Sequence, residues 1–242
     1  MFKDLQSEYL KHKGTFNLKL LWIAPLLTAM LAMVLMGPAN MQNGAYNWWS
    51  IFILPGTLAT VVSLASAGEK RKNRHGLLAV VVHKGRLWLA QIMLYTLLLM
   101  VTVLCFYTLI SATGILPGAG RIPLGAGFYA SLLLFVGFAW QIPLWMWVAD
   151  RVGSAVSITV AMVCNFAIPI FYATTDRWWL PFAIPARLMC PVLGIEPNGL
   201  WLSANSPLLD EGVVLPGVAI ALAIYVVLTI VTTLGFNKRE VS

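Results

Sequence analysis

From Leu20 to Gly68 the chain carries no charged residue. A helix crosses about 30 Å of hydrocarbon at about 1.5 Å per residue, so it needs roughly 20 apolar residues. This run is long enough for two crossings. Gly37-Pro38-Ala39-Asn40-Met41-Gln42-Asn43-Gly44 reads as the turn between them, because glycine, proline and amides punctuate helices. Further uncharged runs are Leu87–Gly120, Ile122–Ala149, Val152–Thr175 and Gly212–Asn237. Together they predict an all-α membrane protein with six transmembrane helices, at about 20–36, 47–66, 87–110, 126–149, 153–172 and 214–236.

Composition agrees. Of 242 residues, 60% are hydrophobic and 10% charged, against roughly 45–50% and about 25% in soluble domains. Disorder is excluded by the same figures, since disordered chains are poor in hydrophobes. No room remains for a large soluble catalytic domain, and the whole of 1–242 reads as one membrane domain. A seventh apolar stretch, Trp178–Leu209, holds Arg187, Glu196 and five prolines. Prolines at that density break a helix repeatedly. The segment 173–213 therefore reads as short helices lying on or dipping into one membrane face, where protein or water satisfies the backbone.

The cations set an orientation. With the N-terminus inside, the inner side holds Lys3, Lys11, Lys13, Lys19, Lys70, Arg71, Lys72, Arg74, Lys84, Arg86, Arg151, Lys238 and Arg239. The outer side holds Arg121, Arg177 and Arg187. Both termini are then cytoplasmic. Such one-sided charge accounts for the net +7 through topology and anionic lipid, with no call for nucleic acid. Trp88, Trp145 and Trp147 fall near the inner interface and Trp48, Trp49, Trp178, Trp179 and Trp201 near the outer one, as an aromatic belt does. The charged head before the first span and the missing cleavage site argue against a removable signal peptide.

Catalytic signatures are missing from the sequence. There is no G-x-x-x-x-G-K-[ST], no H-E-x-x-H and no G-x-S-x-G. Cys105, Cys164 and Cys190 are scattered, and His12, His75 and His83 pair with no carboxylate at ligand spacing, so no metal site is expected. No ionisable residue stands well inside a span, which argues against an ion-driven carrier. Pro143 and Pro169 sit near Gln141 and Asn165. Those amides serve either a hinge with a polar patch or ordinary interhelical hydrogen bonds. Gly56, Thr60, Ser63 and Ala67 make a small-residue face for close packing, within this chain or against another.

The loop 67–86 is the most informative segment. Its charges, Glu69 to Arg74 and His83 to Arg86, flank Leu77, Leu78, Val81 and Val82. Those four share one helix face, which makes a short amphipathic element at the inner surface. It serves either as an interfacial anchor or as a coupling helix that fits a separate ATPase.

The layout resembles a six-span ABC exporter permease: an amphipathic stretch over 1–19, a charged loop after span two and a broken outer segment before span six. Glu69 followed by Leu77-Leu78 is similar to the coupling helix of that superfamily. Two further stretches resemble the MutE/EpiE family of lantibiotic immunity permeases: Ser7–Thr15, and the proline-rich run from Trp179 to Gly199. The resemblance implies a transport subunit that is not itself an enzyme. ATP and Mg would be bound by a partner cytoplasmic ABC ATPase, in two copies, beside a second related six-span permease. The implied function is self-protection: a cationic peptide is expelled from the membrane of a Gram-positive bacterium. Other readings are an exporter permease for another amphiphile, such as a drug or lipid-linked glycan, and a non-translocating structural subunit. The resemblance assigns ATPase coupling to Glu69, His75, Leu77, Leu78, Lys84 and Arg86. Trp178, Trp179, Arg187 and Glu196 are candidates for an outer gate or peptide contact. Charge reversal at Glu69, His75, Lys84 and Arg86 is expected to weaken both ATPase co-purification and peptide resistance; if both stay intact, the coupling assignment fails.

Overall fold

The computed structural model describes residues 2–71, 84–118, 120 and 122–238. Helix α1 (Phe2–His12) precedes α2 (Phe16–Trp48), a π-helical turn (Trp49–Ile53) and α3 (Leu54–Arg71). Then follow α4 (Lys84–Ala112), α5 (Leu124–Ala139), α6 (Gln141–Val152), α7 (Ser154–Tyr172), α8 (Ile184–Leu193) and α9 (Val214–Asn237). Among the described residues, five stretches are long and apolar enough to cross a membrane: Phe16–Gly68, Lys84–Ile115, Leu124–Val152, Ser154–Tyr172 and Glu211–Asn237. The protein is thus an all-α, multi-span membrane bundle.

The first of these stretches, 53 residues long, folds back on itself. Gly37 sits at φ 67°, ψ 175°, outside the helical region. Only glycine takes such a φ without strain, and the following Pro38 is pre-set to restart a helix. A β-carbon on Gly44 would lie 2.6 Å from Met36 Cγ. In a straight helix those residues would stand about 12 Å apart. The turn expected over 37–44 is therefore confined to Gly37, and the next helix starts at Pro38 rather than near 47. Asn40 to Asn43 looked like loop residues by composition, yet they lie on a helix.

Proline also explains the π turn. Pro55 has no N–H, and its ring crowds the carbonyl four residues back. The wider turn over Trp49–Ile53 comes just before it and opens room. Trp49, fully buried, stacks on Phe106 of α4 with ring centroids 4.5 Å apart. The fourth predicted span, 126–149, is likewise interrupted: α5 and α6 meet at Trp140. Gly153, at φ 99°, is the one residue between α6 and α7.

A polar seam runs through the apolar packing of α3, α6 and α7. Gln141 Nε2 donates to Asn165 Oδ1 at 2.7 Å, and Asn165 Nδ2 returns a bond to Gln141 Oε1 at 2.9 Å. Trp145 Nε1 donates to the same Gln141 oxygen at 2.9 Å. Ser63 Oγ donates to Ser157 Oγ at 2.9 Å, and Ser66 Oγ to the Met146 carbonyl at 3.2 Å. The amides thus make interhelical hydrogen bonds. The small-residue face packs within this chain: a β-carbon on Gly56 would meet Met162 Sδ at 2.6 Å.

The bundle has two chemically different ends. At one, α1 lies against α4. Arg86 Nε donates to Asp4 Oδ2 at 2.7 Å, and Gln91 Nε2 donates to the buried Glu8 at 3.2 Å. Trp88 stacks on Phe236 there and donates to Thr232 Oγ1 at 3.1 Å, joining α4 to α9. At the other end gather the Gly37 turn, the 113–123 connection and the segment 173–213. Gln42, Asn43 and Tyr46 tie these together. Gln42 Nε2 donates to the Ile110 carbonyl at 2.9 Å and its Oε1 accepts from Ile122 N at 2.7 Å. Tyr46 donates to the Gly127 carbonyl at 2.9 Å.

The Gln141–Asn165 pair generates a prediction. Replacing Gln141 alone by Leu strands buried donors and acceptors on Asn165 and Trp145, at about 1–3 kcal/mol. Gln141→Leu with Asn165→Leu should lose less than the sum of the single changes. Melting temperatures in detergent across the double-mutant cycle check this; strict additivity would mean the amides do not act as a pair.

Candidate outer groove and the basic end

The proline-rich segment is the part of the structure with the most unusual backbone. After α7 the chain turns through 173–183, and Ala173 and Ala183 are buried against Ile51 and Ala186. Helix α8 then seats on α5, where a β-carbon on Gly137 would lie 3.2 Å from Pro185 Cγ. Gly194, left-handed at φ 68°, ends α8. Beyond it the chain doubles back. Glu196 N donates to the Leu200 carbonyl at 2.7 Å, Leu202 N donates to the Gly194 carbonyl at 2.8 Å, and Ile195 bridges Trp201.

This small loop forms the roof of a groove of about 510 Å³. Its walls are Trp48, Ile51 and Phe52, from the end of α2 and the π turn, and Phe166 and Ile170 of α7; Glu196, Pro197 and Asn198 close the top. Phe52 meets Phe166 edge-on at 6.3 Å. The groove is thus apolar with a carboxylate at its rim, and Asn198 Nδ2 holds that carboxylate at 2.8 Å. The roof is fastened from below, where Asn43 Nδ2 donates to the Gly199 carbonyl at 2.8 Å. Gly199 itself is left-handed at φ 84°, and a β-carbon there would press on Asn47 Cβ at 3.1 Å. A groove of this kind suits an amphiphile that offers an apolar surface and a cation.

The other proposed outer residues do not line this groove. Trp178 is half-buried against the main core, and Trp179 is 52% exposed. Arg187 is only 5% exposed and points inward, with Nη1 donating to the Leu208 carbonyl at 2.8 Å. Cys190 lies close by. Burial pushes its thiol up to about 11, against the pull of the Arg187 guanidinium.

At the basic end, Glu69 lies in the last turn of α3. Lys84 opens α4, and Arg86 is bonded to Asp4 of α1. His75, Leu77 and Leu78 lie outside the described residues, as does the amphipathic element built on them. Sequence reasoning missed Asn43, Asn47 and Glu8. Asn43 sat in the expected turn over 37–44, and Asn47 at the start of the expected span 47–66. Glu8 read as part of the charged head before the first span, but it is buried against Gln91. An acid at the fourth-residue spacing of Asp4 was the available signal, since it puts both carboxylates on one helix face.

Comparison with protein-family models, curated proteins and solved structures returned no match. What the fold and groove define is a class: a multi-span α-helical membrane protein with an amphiphile-sized groove at its less basic end.

The roof gives a direct test. Asn43→Ala removes the bond to Gly199, worth about 1 kcal/mol. Amide exchange at Glu196 and Leu202 should speed up by roughly fivefold, with the α4 core unchanged. Unaltered exchange would show that Asn43 does not hold the loop.

Proposed function

We propose that this chain is the permease subunit of an ABC-type exporter that protects its host from lantibiotic-type cationic peptides. In this reading six spans cross the plasma membrane, because the 53-residue first stretch counts as two, and both termini are cytoplasmic. The basic end faces the cytoplasm and anionic lipid, as cation asymmetry demands. The groove then faces outward.

The observation that carries the proposal is the groove itself. Phe52, Phe166 and Ile170 offer an apolar wall, and Glu196 offers a fixed negative charge above it. A cationic amphipathic peptide held in the outer leaflet presents the matching pair of surfaces. The described charged residues of the outer segment add Asp176, Asp210 and Glu211 against Arg177 and Arg187. Energy would come from a separate ATPase pair that binds ATP and Mg. Its closure would pass through 67–86 to the second and third spans. The π turn is the natural place for that motion to be felt, because it lies in the second span and walls the groove. A second, related permease would complete the complex.

Two measurements test this. An affinity-tagged chain, purified gently from its host, should bring down an ATPase and a second multi-span protein. Glu196→Gln should lower the tolerated peptide concentration by about five- to tenfold, the equivalent of about 1–1.4 kcal/mol, without reducing the amount of complex. Co-purification without any resistance loss would favour a structural subunit. Unchanged peptide tolerance with lost tolerance to another amphiphile would move the substrate class.

A further inference from the structure

The structure assigns a second ligand site to the groove between α5, α8 and α9, and its ligand is a cationic amphiphile: a hydrocarbon body that carries an ammonium. The groove holds about 660 Å³, within the range of about 300–1,000 Å³ that small-molecule sites occupy. Leu133 and Val136 of α5, Pro191 and Val192 of α8 and Val218 of α9 line it with aliphatic surface. Among the described residues, Glu211 is the one charged group in its lining. An aliphatic wall accepts any hydrocarbon, whatever charge that hydrocarbon carries at its end. Selection therefore falls to the carboxylate.

Glu211 is placed for that task. It stands in the 3-10 turn Glu211–Val213 that leads into α9. Asp210 Oδ1 accepts from Gly212 N at 2.8 Å and fixes the turn. The Glu211 side chain is exposed, and its carboxylate makes no hydrogen bond or ion pair among the described residues. Glu196, by contrast, is held by Asn198. A carboxylate with all its lone pairs available attracts a cation and repels an anionic headgroup. Tyr129, 47% exposed, lines the same groove. A tyrosine ring adds attraction for an ammonium through its negative face. Apolar surface, an uncompensated negative charge and an aromatic ring thus share one groove. The uncharged tail of a bulk lipid would use only the first of these. No residue lines both this groove and the one at Glu196, so the site stands whether or not the other takes a peptide.

The test uses the purified full chain in phosphatidylcholine nanodiscs. The probe is dodecyltrimethylammonium with a photoreactive diazirine on its alkyl chain, and mass spectrometry maps where it attaches. Labelling of the wild-type chain should saturate and fall on peptides of α5 and α9. Unlabelled dodecyltrimethylammonium should compete it away, and dodecyl sulfate should not. Glu211→Gln should lower the saturable labelling about tenfold. Val218→Trp fills the groove while leaving Glu211 in place, and should lower it as far. If Val218→Trp fails to fold, the exposed Glu211→Gln still decides. Equal labelling of wild type and Glu211→Gln overturns the site. So does labelling that never saturates, which is the result expected if bilayer phospholipid fills the groove. Equal saturable labelling by a neutral dodecanol probe would show that the groove reads hydrocarbon alone, and would overturn the cation assignment.

Discussion

Inside a bilayer no water is present to satisfy a broken helix, so every gap in the backbone ladder must be closed by the protein. That requirement organises this structure. The helices are interrupted at Gly37, at the Trp49–Ile53 π turn, at Trp140 and at Gly153. Around the interruptions polar side chains recur in an otherwise apolar packing. Gln42 bonds the carbonyl of Ile110 and the amide of Ile122, two backbone groups at the ends of the connection between α4 and α5. Gln141 sits immediately after the break at Trp140 and bonds Asn165 on the facing helix. Polarity is placed where regular backbone bonding stops.

Much of the architecture could be read from the chain, because a missing charge is a strong signal. Uncharged runs located the apolar helices to within a few residues at most ends. Proline density separated 173–213 from them, and there the structure has one ten-residue α-helix, two short 3-10 turns and irregular backbone. The exact span count and its orientation rest on reading the first stretch as two crossings and on cation placement. Composition misled at Asn40 to Gly44, where amides suggested a turn. Their partners are distant in sequence: Gln42 reaches Ile110, and Asn43 reaches Gly199. No local rule can tell a loop amide from a helical amide that clamps another loop.

The candidate site was legible only in part for the same reason. Glu196 stood out as an acid in a proline-rich segment. Its groove is assembled from Trp48, Phe52 and Phe166, apolar residues that look alike anywhere in such a chain. Arg187 and Glu196 looked equivalent as outer charges, but burial separates them: one faces a groove and the other faces inward.

The π turn has a consequence for how the helical run 38–71 packs. One extra residue in a turn shifts everything beyond it by about 100° around the axis. Upstream, Tyr46 addresses α5, and Trp49, the first residue of the turn, addresses α4. Downstream, Ser63 and Ser66 address α7 and α6. The two halves of the element are therefore seated against different helices, α4 and α5 on one side of the offset and α6 and α7 on the other. Side chains beyond the turn face a direction about 100° away from where an unbroken α-helix would have carried them, which lets one helical run serve two different pairs of neighbours.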